Sequence, residues 1–435
     1  MGIDETKSWV RNSKTLKVIG IGVLALLLLI PASMIQSLIR EREFAFNEVY
    51  SEVGQKWGYP QTITGPVITV PYITHSVGTD GKVISIRKNA YFLPDSLVYN
   101  GEITPETRYR GIYKVPVYSG NLNVKGSFKQ PDLSQWKIKT ENILWDEASI
   151  SIGISDMRGI RSAIVLSLGG DRMEMNPGAD ARDIISSGIS SIIDLKKYTD
   201  LSFSFSVELN GSQSLSFIPL GKQTDVQLTS TWSNPSFSGA FLPASRDINE
   251  KGFNASWKVL NLNRNFPQQW IGNEYIVSES SFGVDFLLPV DHYQKNTRSA
   301  KYAIMFIGLT FVAFLLFELI SKRKIHPVQY LLVGGALCVF YTLLVSFSEH
   351  IGFFWAYTIS SVATIALISL YFNSIIGSAR STSLLSLMLV GLYLFLFTIL
   401  QLQDYALLMG SIGLFAVISV VMYVSRRVDW YAGGE

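Results

Sequence analysis

Few side chains in this sequence have the type and spacing that chemistry requires. The chain contains four histidines and one cysteine, which form neither an H-E-x-x-H motif nor a Cys/His cluster of the kind that holds zinc. Acidic calcium-loop, Walker A and G-x-S-x-G sequences are also missing. Ser85 and Lys88 satisfy S-x-x-K, but they lie in an alternating stretch, where residues i and i+3 of a strand face opposite sides. We therefore predict no catalytic residue, no cofactor-binding residue and no metal site.

Four ionisable side chains within or beside apolar runs are the candidate functional residues: Glu318, Glu349, His350 and Asp404. Burying a charge in lipid is costly, so such residues are functional candidates by default. Glu318 lies within about one helical turn of Lys322, and an ion pair at the membrane interface would account for it. The other three fall in two predicted outer loops, where helix capping and loop anchoring would account for them.

The composition divides the 435 residues into two kinds of sequence. The whole chain is 48% hydrophobic and only 16% charged, against roughly 25% charged in a typical soluble protein. Between residues 40 and 298 about one residue in five is charged, as in a soluble domain. Between residues 325 and 425 the only Lys, Arg, Asp or Glu residues are Glu349, Arg380 and Asp404. That second stretch belongs in lipid, and the net charge of +3 gives no support to nucleic-acid binding.

Six apolar segments are long enough to cross a bilayer, which takes about 20 residues of helix. The predicted spans are 18–39, 302–320, 327–347, 351–376, 382–402 and 405–424. The separators between the last five are short, so neighbouring helices must be antiparallel and form a compact five-helix bundle over 302–424. The single cysteine, Cys338, lies in one of these spans and is predicted to be a buried apolar filler.

The first apolar segment has two interpretations. Residues 18–30 have the length of a signal-peptide core, and Pro31-Ala32-Ser33 could be a cleavage site. Apolar residues continue to Ile39, however, which makes a full span and favours a retained anchor. Both interpretations export the same domain.

The distribution of Lys and Arg predicts the orientation, because cytoplasmic loops carry the excess of these residues. With the N-terminus inside, the basic residues before residue 18, at 322–324, at 380 and at 426–427 are all cytoplasmic. The predicted organisation is a cytoplasmic basic N-terminus (1–17), a first transmembrane helix (18–39), an exported domain (40–298), the bundle (302–424) and a cytoplasmic tail (425–435).

Alternation of apolar and polar residues predicts that the exported domain is rich in β-strands. The alternating stretches are 82–87, 201–209, 215–218 and 226–232. Turn signals occur at Thr79-Asp80-Gly81, Asn100-Gly101 and Asn210-Gly211, the last predicting a tight hairpin. We predict a sandwich- or barrel-like fold. Residues 40–57 instead have helical periodicity, and that helix either packs on the domain or lies at the membrane surface.

Several long stretches carry a resemblance to a known family. They are 57–72 (W-G-Y-P-Q-T-I-T-G-P-V-I-T-V-P-Y), 297–318 (T-R-S-A-K-Y-A-I-M-F-I-G-L-T-F-V-A-F-L-L-F-E), 326–357 (with H-P-V-Q-Y-L-L-V-G and S-F-S-E-H-I-G-F-F-W-A-Y) and 400–431 (with L-Q-L-Q-D-Y-A-L-L-M-G-S and R-V-D-W-Y). In these stretches the chain resembles the CreD family of bacterial inner-membrane proteins, which is associated with cell-envelope integrity. The resemblance implies a bacterial inner membrane, a periplasmic domain and a role in envelope stress, and it supplies no catalytic residues.

The leading functional hypothesis is a non-enzymatic inner-membrane protein of the cell envelope, whose periplasmic domain binds a protein, glycan or lipid partner. Membrane lipids are the second expected partner, and no nucleic acid is expected. The alternative is a lipid or solute transporter or channel that uses the helix bundle, with Glu349 and His350 at its outer mouth. A third hypothesis is an envelope enzyme that uses scattered Asp and Glu residues of the domain. The sequence carries no signal for an oligomeric state or for the identity of a ligand.

Overall fold

The computed structural model describes residues 14–77, 83–286, 292–321, 325–402 and 405–426. The chain divides into two compact units. The helical unit comprises Met1–Ala45 and Val290–Glu435, and the β unit comprises Phe46–Pro289. Each unit is described by itself below.

The helices of the described residues lie at the two ends of the chain. They are α1 (Lys14–Leu27), α2 (Leu29–Trp57), α3 (His292–Lys301), α4 (Ala303–Ser321), α5 (Pro327–Ile351), α6 (Phe353–Ile376), α7 (Ala379–Gln401) and α8 (Ala406–Ser425). Four helices in this part of the chain are long and apolar enough to cross a membrane: the run Lys17–Trp57 formed by α1 and α2, then α5, α6 and α7. The pair α3 and α4, bent by 41°, makes a fifth if it is one span.

The prediction of six spans is therefore not confirmed. α3 is polar (H-Y-Q-K-N-T-R-S-A-K), so it adds length but no apolar surface to α4. The apolar part of α8, Leu408–Tyr423, is shorter than the four spans. Short apolar helices cover less than the roughly 30 Å of a hydrocarbon core. The coarser prediction, a membrane protein with several apolar helices, is confirmed.

The helical unit has an apolar core to which α1–α7 contribute. One face of the first two helices enters it, with buried residues at the 3- and 4-residue spacing of a helix: Ile21, Leu28, Ala32, Ile35 and Ile39. Leu28 packs against Gly334 of α5 so closely that a Cβ at Gly334 would overlap its side chain. Large apolar side chains on the other faces are exposed, such as Leu370 at 72% and Leu387 at 68%, as expected of surfaces that contact lipid.

The β unit consists of two mixed sheets. Its strands are β1 (Gln61–Val77), β2 (Val83–Phe92), β3 (Ser96–Arg110), β4 (Tyr113–Ser127), β5 (Ala148–Ile154), β6 (Val165–Leu168), β7 (Asp171–Glu174), β8 (Asn176–Pro177), β9 (Gly188–Ile193), β10 (Ser202–Ser212), β11 (Ser214–Ile218), β12 (Gln223–Ser230), β13 (Pro235–Gly239), β14 (Ser245–Asn249), β15 (Gly252–Leu260), β16 (Gln269–Ile271) and β17 (Phe282–Phe286). The nine-stranded sheet has the order β13-β17-β11-β1-β5-β9-β8, with β2 paired to β1 and β16 to β2. The eight-stranded sheet has the order β14-β15-β12-β3-β4-β10-β6-β7.

Most strand pairs are antiparallel, but β1 with β11 and β3 with β12 are parallel. Both sheets supply side chains to one hydrophobic core. Ring pairs join them across it, with centroids 4.9 Å apart for Tyr99 and Phe217 and 5.8 Å for Trp257 and Phe282. The alternation in the sequence matches the burial, because every second residue of β10 and of β12 is buried. The predicted β-rich domain is confirmed at this level.

Two of the predicted turns are wrong, and the cause is the same at both: an Asn-Gly pair was interpreted as a turn although it lies within a strand. Asn100-Gly101 lies inside β3, where a Cβ at Gly101 would come within 2.6 Å of Leu122 and Leu228 on the neighbouring strands. Asn210-Gly211 lies inside β10, and a Cβ at Gly211 would overlap the ring of Tyr118. Glycine is needed at both sites for close approach of side chains rather than for a turn. The predicted turn at Thr79-Asp80-Gly81 lies outside the described residues.

The predicted hairpin at Asn210-Gly211 is instead the place where the chain changes sheets. β10 pairs with β4 in the eight-stranded sheet, whereas β11 pairs with β1 and β17 in the other. Gln213 connects the two strands with a φ of +65°. Its backbone bonds to both sheets, donating to Pro116 O at 3.3 Å and accepting from Phe286 N at 2.7 Å.

The predicted helix over 40–57 is confirmed as the C-terminal part of α2, and its end packs on the β unit. The Trp57 indole donates to Tyr118 O at 3.2 Å, and the Arg108 guanidinium lies 4.4 Å from the centre of the Trp57 ring. Arg110 donates to both carboxylate oxygens of Glu52, at 2.9 and 3.1 Å. Of the two interpretations in the sequence, these contacts favour packing on the domain.

Candidate functional sites

Glu318 lies in the last turn of α4 and is buried in the helical unit, with a side chain only 8% exposed. The Lys17 ammonium forms an ion pair with its carboxylate and also donates to Ile325 O at 2.9 Å. The Tyr330 hydroxyl donates to the second carboxylate oxygen at 3.0 Å. The predicted partner, Lys322, lies outside the described residues. The observed partner is 301 positions away in sequence, so no local pattern could have identified it.

This arrangement joins three helices, because Lys17 is in α1, Glu318 in α4 and Tyr330 in α5. A buried ion pair contributes little net stability by itself, but removal of one partner leaves an uncompensated charge. The contacts around Glu318 therefore tie the first helix to the bundle. Among the described residues, no three His, Cys, Asp or Glu side chains lie close enough together to hold a metal ion.

Glu349 and His350 lie in the last turn of α5, and the predicted loop at 348–350 is wrong. No helix-breaking residue occurs in S-E-H, so the helix continues to Ile351 and ends before Gly352, which has a φ of +80°. His350 is exposed, and its Nδ1 lies 3.1 Å from Ser346 O. Ser348, two residues before His350, is buried and accepts a hydrogen bond from the Asn296 amide at 2.8 Å.

Among the described candidates, the structure does not bring Glu318 close to Glu349 and His350. Glu318 contacts Tyr330 in the first turn of α5, whereas Glu349 and His350 lie in its last turn. At 1.5 Å per residue, Tyr330 and Glu349 are about 28 Å apart along the helix axis. Asp404 lies outside the described residues. His326 is structural, because its Nδ1 accepts a hydrogen bond from Val328 N at 3.3 Å at the start of α5.

Three buried hydroxyl groups in the helical unit were missed by the sequence analysis: those of Ser299, Thr310 and Ser360. All three residues have 0% exposure, and their hydroxyl oxygens have no hydrogen-bond partner among the described residues. Most serines and threonines on these helices instead donate to a backbone carbonyl of the preceding turn, as Thr364 does to Ser360 O at 2.8 Å and Thr398 to Leu394 O at 2.9 Å. A serine within an apolar run is therefore a weak sign of a functional site, because any serine in a helix can donate its hydroxyl to a backbone carbonyl of the preceding turn.

Aromatic side chains of α5, α6 and α7 contact one another in the interior of the bundle, and one of them, Tyr357, lies three residues before Ser360 on α6. The Tyr357 hydroxyl donates to Tyr393 O at 2.7 Å. The Phe340 ring centre lies 4.8 Å from that of Tyr393 and 5.6 Å from that of Tyr357. Tyr341 is also buried and belongs to the same core. The interior of the bundle therefore combines tyrosine and serine hydroxyls with aromatic walls.

A buried carboxylate, that of Asp156, stabilises the segment that connects α2 to β1 at the start of the β unit. Asp156 accepts hydrogen bonds from Arg158, Nε to Oδ1 at 2.9 Å and Nη2 to Oδ2 at 3.2 Å, and from Tyr59 N at 2.9 Å. Burial acts to raise the pKa of Asp156, but the hydrogen bonds from Arg158 and the backbone outweigh it, so the pKa lies below its usual value. The fully buried Gln61 donates to Asp156 O and Asn210 O. These contacts use residues of the W-G-Y-P-Q stretch to join the end of α2 to both sheets.

Arg264 is a buried cation in the segment that connects β15 to β16. Its guanidinium donates to Leu220 O at 3.0 Å and Phe266 O at 2.5 Å, and also bonds Gln268. Burial lowers the pKa of Arg264 to about 10. The acceptors are carbonyl oxygens, so the role of Arg264 is structural: it holds together the segments that contain Leu220 and Phe266. Arginine in a polar loop sequence (L-N-R-N-F) gives no sign of burial.

Two open grooves occur on the β unit. One, of about 440 Å³, lies on the eight-stranded sheet over β3, β4, β6 and β10. Its lining residues are Ser96, Val98, Lys125, Gly126, Ser127, Ser167, Gly170, Ser202, Phe203 and Ser204. The other, of about 720 Å³, is lined by Met157, Pro177, Gly178, Ala179, Arg182, Ile185, Ser186, Ser187 and Gly188. The first offers many hydroxyl groups and one cation and no carboxylate, which suits a neutral or anionic ligand rich in hydrogen-bonding groups.

The apolar helices and the two-sheet unit define a polytopic membrane protein with a large β-rich domain. The family model "Inner membrane protein CreD" matches residues 13–431. The chain is 33% identical over 416 residues to the inner membrane protein CreD of Escherichia coli (strain K12), covering 94% of this chain and 91% of that protein. The chain belongs to the CreD family, and its location is the inner membrane.

Proposed function

We propose that this protein contributes to cell-envelope integrity and the response to envelope stress by a non-enzymatic mechanism, in which the β unit binds an envelope partner. The partner is a protein, a glycan or a lipid. The observation that carries the proposal is the serine-lined groove on the eight-stranded sheet, which presents hydrogen-bonding groups on an open surface. The family resemblance supports the envelope role.

The proposed topology places both termini in the cytoplasm and residues 40–298 in the periplasm as a two-sheet sandwich. The excess of Lys and Arg in the predicted inner segments supports this orientation. The first helix is proposed to be retained rather than cleaved. Its support is the set of contacts that cleavage at Pro31-Ala32-Ser33 would remove, namely the Lys17–Glu318 ion pair and the packing of Leu28 on Gly334.

Photo-crosslinking in living cells tests partner binding. A benzophenone amino acid at Ser204, in the groove, is expected to capture a partner, and the same group at Glu279, exposed elsewhere on the β unit, is not. Digestion of the product with protease or with a cell-wall hydrolase, and lipid extraction, separate the three partner classes. Equal capture at both positions, or none at Ser204, would argue against the groove.

Survival of a deletion strain under detergent and cell-wall stress tests the role itself. The full chain is expected to rescue the strain. Ser204→Trp, which fills the groove, is expected to rescue poorly, whereas Gln227→Trp, exposed on β12 of the same sheet and outside the groove, is expected to rescue fully. Full rescue by both variants, at equal membrane levels, would contradict the proposal.

The second candidate function is a lipid or solute transporter or channel that uses the helix bundle. The buried hydroxyls of Ser299, Thr310 and Ser360, which have no partner among the described residues, favour it, because such groups can bind a passing polar molecule. Reconstituted liposomes are then expected to show flux that decreases in Glu349→Gln, His350→Ala or Ser360→Ala. Vesicles that stay tight with the wild-type chain would remove this candidate.

A further inference from the structure

The second groove on the β unit, of about 720 Å³, is not used by the proposed function. Its wall includes the segment 178–187, which connects β8 to β9. Among the described residues that line the groove, Arg182 is the only charged one, and Ser186 and Ser187 are the only ones with a hydroxyl group. The larger apolar side chains of the lining are those of Met157, Pro177 and Ile185. The groove therefore combines one cation with an apolar wall.

Hydrogen bonds to two other strands hold the segment 178–187 in place. The hydroxyl oxygen of the fully buried Ser151, on β5, accepts from Asp180 N at 3.2 Å and from Ala181 N at 3.5 Å. The Tyr91 hydroxyl, on β2, donates to an Asp183 carboxylate oxygen at 2.5 Å. A wall that is fixed in this way is formed before a ligand arrives, and preorganisation lowers the entropic cost of binding.

The groove contains hydrogen-bond donors that no described residue uses. The Arg182 guanidinium forms neither an ion pair nor a hydrogen bond within the described parts of the chain. The backbone N–H groups and the hydroxyls of Ser186 and Ser187 have no acceptor there either. Ser187 uses only its carbonyl, which accepts from Ile154 N at 3.0 Å. Neighbouring backbone N–H groups beside a guanidinium are donors that proteins use to bind a carboxylate or a phosphate.

The charges favour a monocarboxylate over a phosphate. Asp180 and Asp183 flank Arg182 closely in the sequence, but neither lines the groove, and Asp183 is bonded to Tyr91. One cation with neutral donors balances one negative charge, whereas a phosphate monoester carries about 1.5 to 2 negative charges at pH 7. A planar guanidinium also binds a carboxylate through two parallel hydrogen bonds.

The apolar wall indicates what the carboxylate is attached to. Ile185 is buried and Met157 is half-buried, and an alkyl group that covers them is removed from water together with them. The volume of about 720 Å³ lies within the range of roughly 300–1,000 Å³ that is typical of ligand pockets.

We propose that the second groove binds a monocarboxylate attached to an apolar group. The carboxylate accepts hydrogen bonds from the Arg182 guanidinium and from the N–H groups of Ser186 and Ser187, and the apolar group packs on Met157 and Ile185. The free C-terminus of a peptide that ends in an apolar residue has this chemistry, and so has a short aliphatic acid. The site is separate from the serine-lined groove, and the proposed function does not depend on it.

Fluorescence anisotropy on the full chain in detergent micelles tests the site, with empty micelles as the background. The probe is the peptide alanyl-alanyl-leucine, labelled at its N-terminus with a dansyl group and carrying a free C-terminal carboxylate. The control peptide is the same sequence with a C-terminal amide. We expect the free acid to bind about tenfold more tightly than the amide, because hydrogen bonds to a charged group are the stronger ones.

Two variants locate the binding. Arg182→Gln is expected to weaken binding of the free acid by about tenfold and to leave binding of the amide unchanged. Since Arg182 is exposed, the substitution is expected to leave the fold intact. Arg246→Gln removes the same charge from an exposed position on β14, in the other sheet, and is the matched control. Equal affinities for the two peptides, equal effects of the two variants, or no binding at millimolar peptide would overturn the proposal.

Competition identifies the source of the carboxylate. Displacement of the probe by hexanoate as readily as by the unlabelled peptide acid would show that a short aliphatic acid suffices. Displacement by the peptide acid alone would identify a peptide C-terminus. If inorganic phosphate displaced the probe at lower concentrations than hexanoate, the assignment to a monocarboxylate would be wrong. None of these outcomes bears on capture of a partner at Ser204, in the serine-lined groove.

Discussion

Each unit of this protein buries a carboxylate, and the two neutralise it by different routes. Asp156 of the β unit uses Arg158, two positions away, and the backbone N–H of Tyr59. Glu318 of the helical unit uses Lys17, 301 positions away, and the Tyr330 hydroxyl. In a helix nearly every backbone N–H is already bonded within the helix, so a buried carboxylate must obtain its donors from side chains on other helices. A connection between strands leaves backbone N–H groups free for local use.

The largest expected effect is that of breaking the distant pair. Lys17→Met leaves the Glu318 carboxylate buried with fewer donors, and removal of one partner of a buried pair costs about 3–5 kcal/mol. We expect the free energy of unfolding of the full chain in mixed micelles to fall by about 3 kcal/mol, because Lys17 is partly exposed.

The double variant Lys17→Met/Glu318→Gln is expected to be more stable than Lys17→Met alone, since the uncompensated charge is gone. Lys56→Met, which removes the exposed pair with Glu52, is the matched control, and its free energy of unfolding is expected to change little. If Lys17→Met and Lys56→Met behave alike, loss of Lys17 does not leave an uncompensated charge on Glu318.

The local carboxylate is expected to have a smaller effect. Asp156→Ala removes the acceptor of the Tyr59 N–H and of Arg158, and an orphaned buried donor costs about 1–3 kcal/mol. Chemical unfolding of the full chain, followed by near-ultraviolet circular dichroism, measures it. Asp200→Ala, whose carboxylate accepts from Ser202 in an exposed position, is the control and is expected to change little.

The pH dependence of the Asp156 contribution has a definite sign. Its pKa is lowered in the folded protein, so the carboxylate stabilises the fold above the unfolded value of about 3.9 and this contribution disappears as the pH falls through the folded value. We expect wild-type stability to decrease below about pH 4, and Asp156→Asn to show a shallower decrease. Equal slopes for the two proteins would contradict this assignment.

The attachment of the first helix also depends on packing, and two adjacent glycines allow a matched test. A Cβ at Gly334 would overlap Leu28, whereas nothing lies within 4 Å of the same position on Gly335. We expect Gly334→Ala to destabilise the helical unit by about 1 kcal/mol, through overpacking. Gly335→Ala is expected to be neutral or to stabilise by up to about 1 kcal/mol, through helix propensity. The reverse order would show that Leu28 does not pack on α5.

The smallest expected effect is that of Ser360→Ala. Its hydroxyl has no partner among the described residues, so removal breaks no protein hydrogen bond and we expect a change within about 0.5 kcal/mol. Thr364→Val, which removes a hydroxyl bonded to Ser360 O, is the comparison at the next turn of α6. A large loss of stability in Ser360→Ala would mean that this hydroxyl has a structural partner.

Most of the architecture could be predicted from the sequence, and the errors have identifiable causes. The stretch from 325 to 425, with only three charged residues, predicted a membrane unit, and the alternation over 201–209 predicted a strand. The Asn-Gly pairs were misread as turns because a glycine that permits close approach has the same local signature as a glycine in a turn. The count of six spans was not confirmed because the predicted span 302–320 belongs to a bent pair of helices and the predicted span 405–424 contains only the shorter apolar helix Leu408–Tyr423, and neither outcome can be read from hydropathy along the chain.

The candidate site was predicted less well. Glu318 was found because a charge in an apolar run is conspicuous, but Lys17 and Tyr330 are distant in sequence and no periodicity connects them. The buried Arg264 and Ser360 could not be recognised, since both residue types are ordinary at the surface.

By itself the sequence determined which parts of the chain belong in lipid and which form strands. Both signals are local, because the free energy of transfer to hydrocarbon and the two-residue period of a strand depend only on the residues of the segment itself. Only the tertiary structure decided which donor neutralises Glu318, which strand pairs run parallel, and where the chain changes sheets after Ser212. Those outcomes depend on which distant side chains meet, and a buried charge or a strand edge accepts any partner that the packing brings to it.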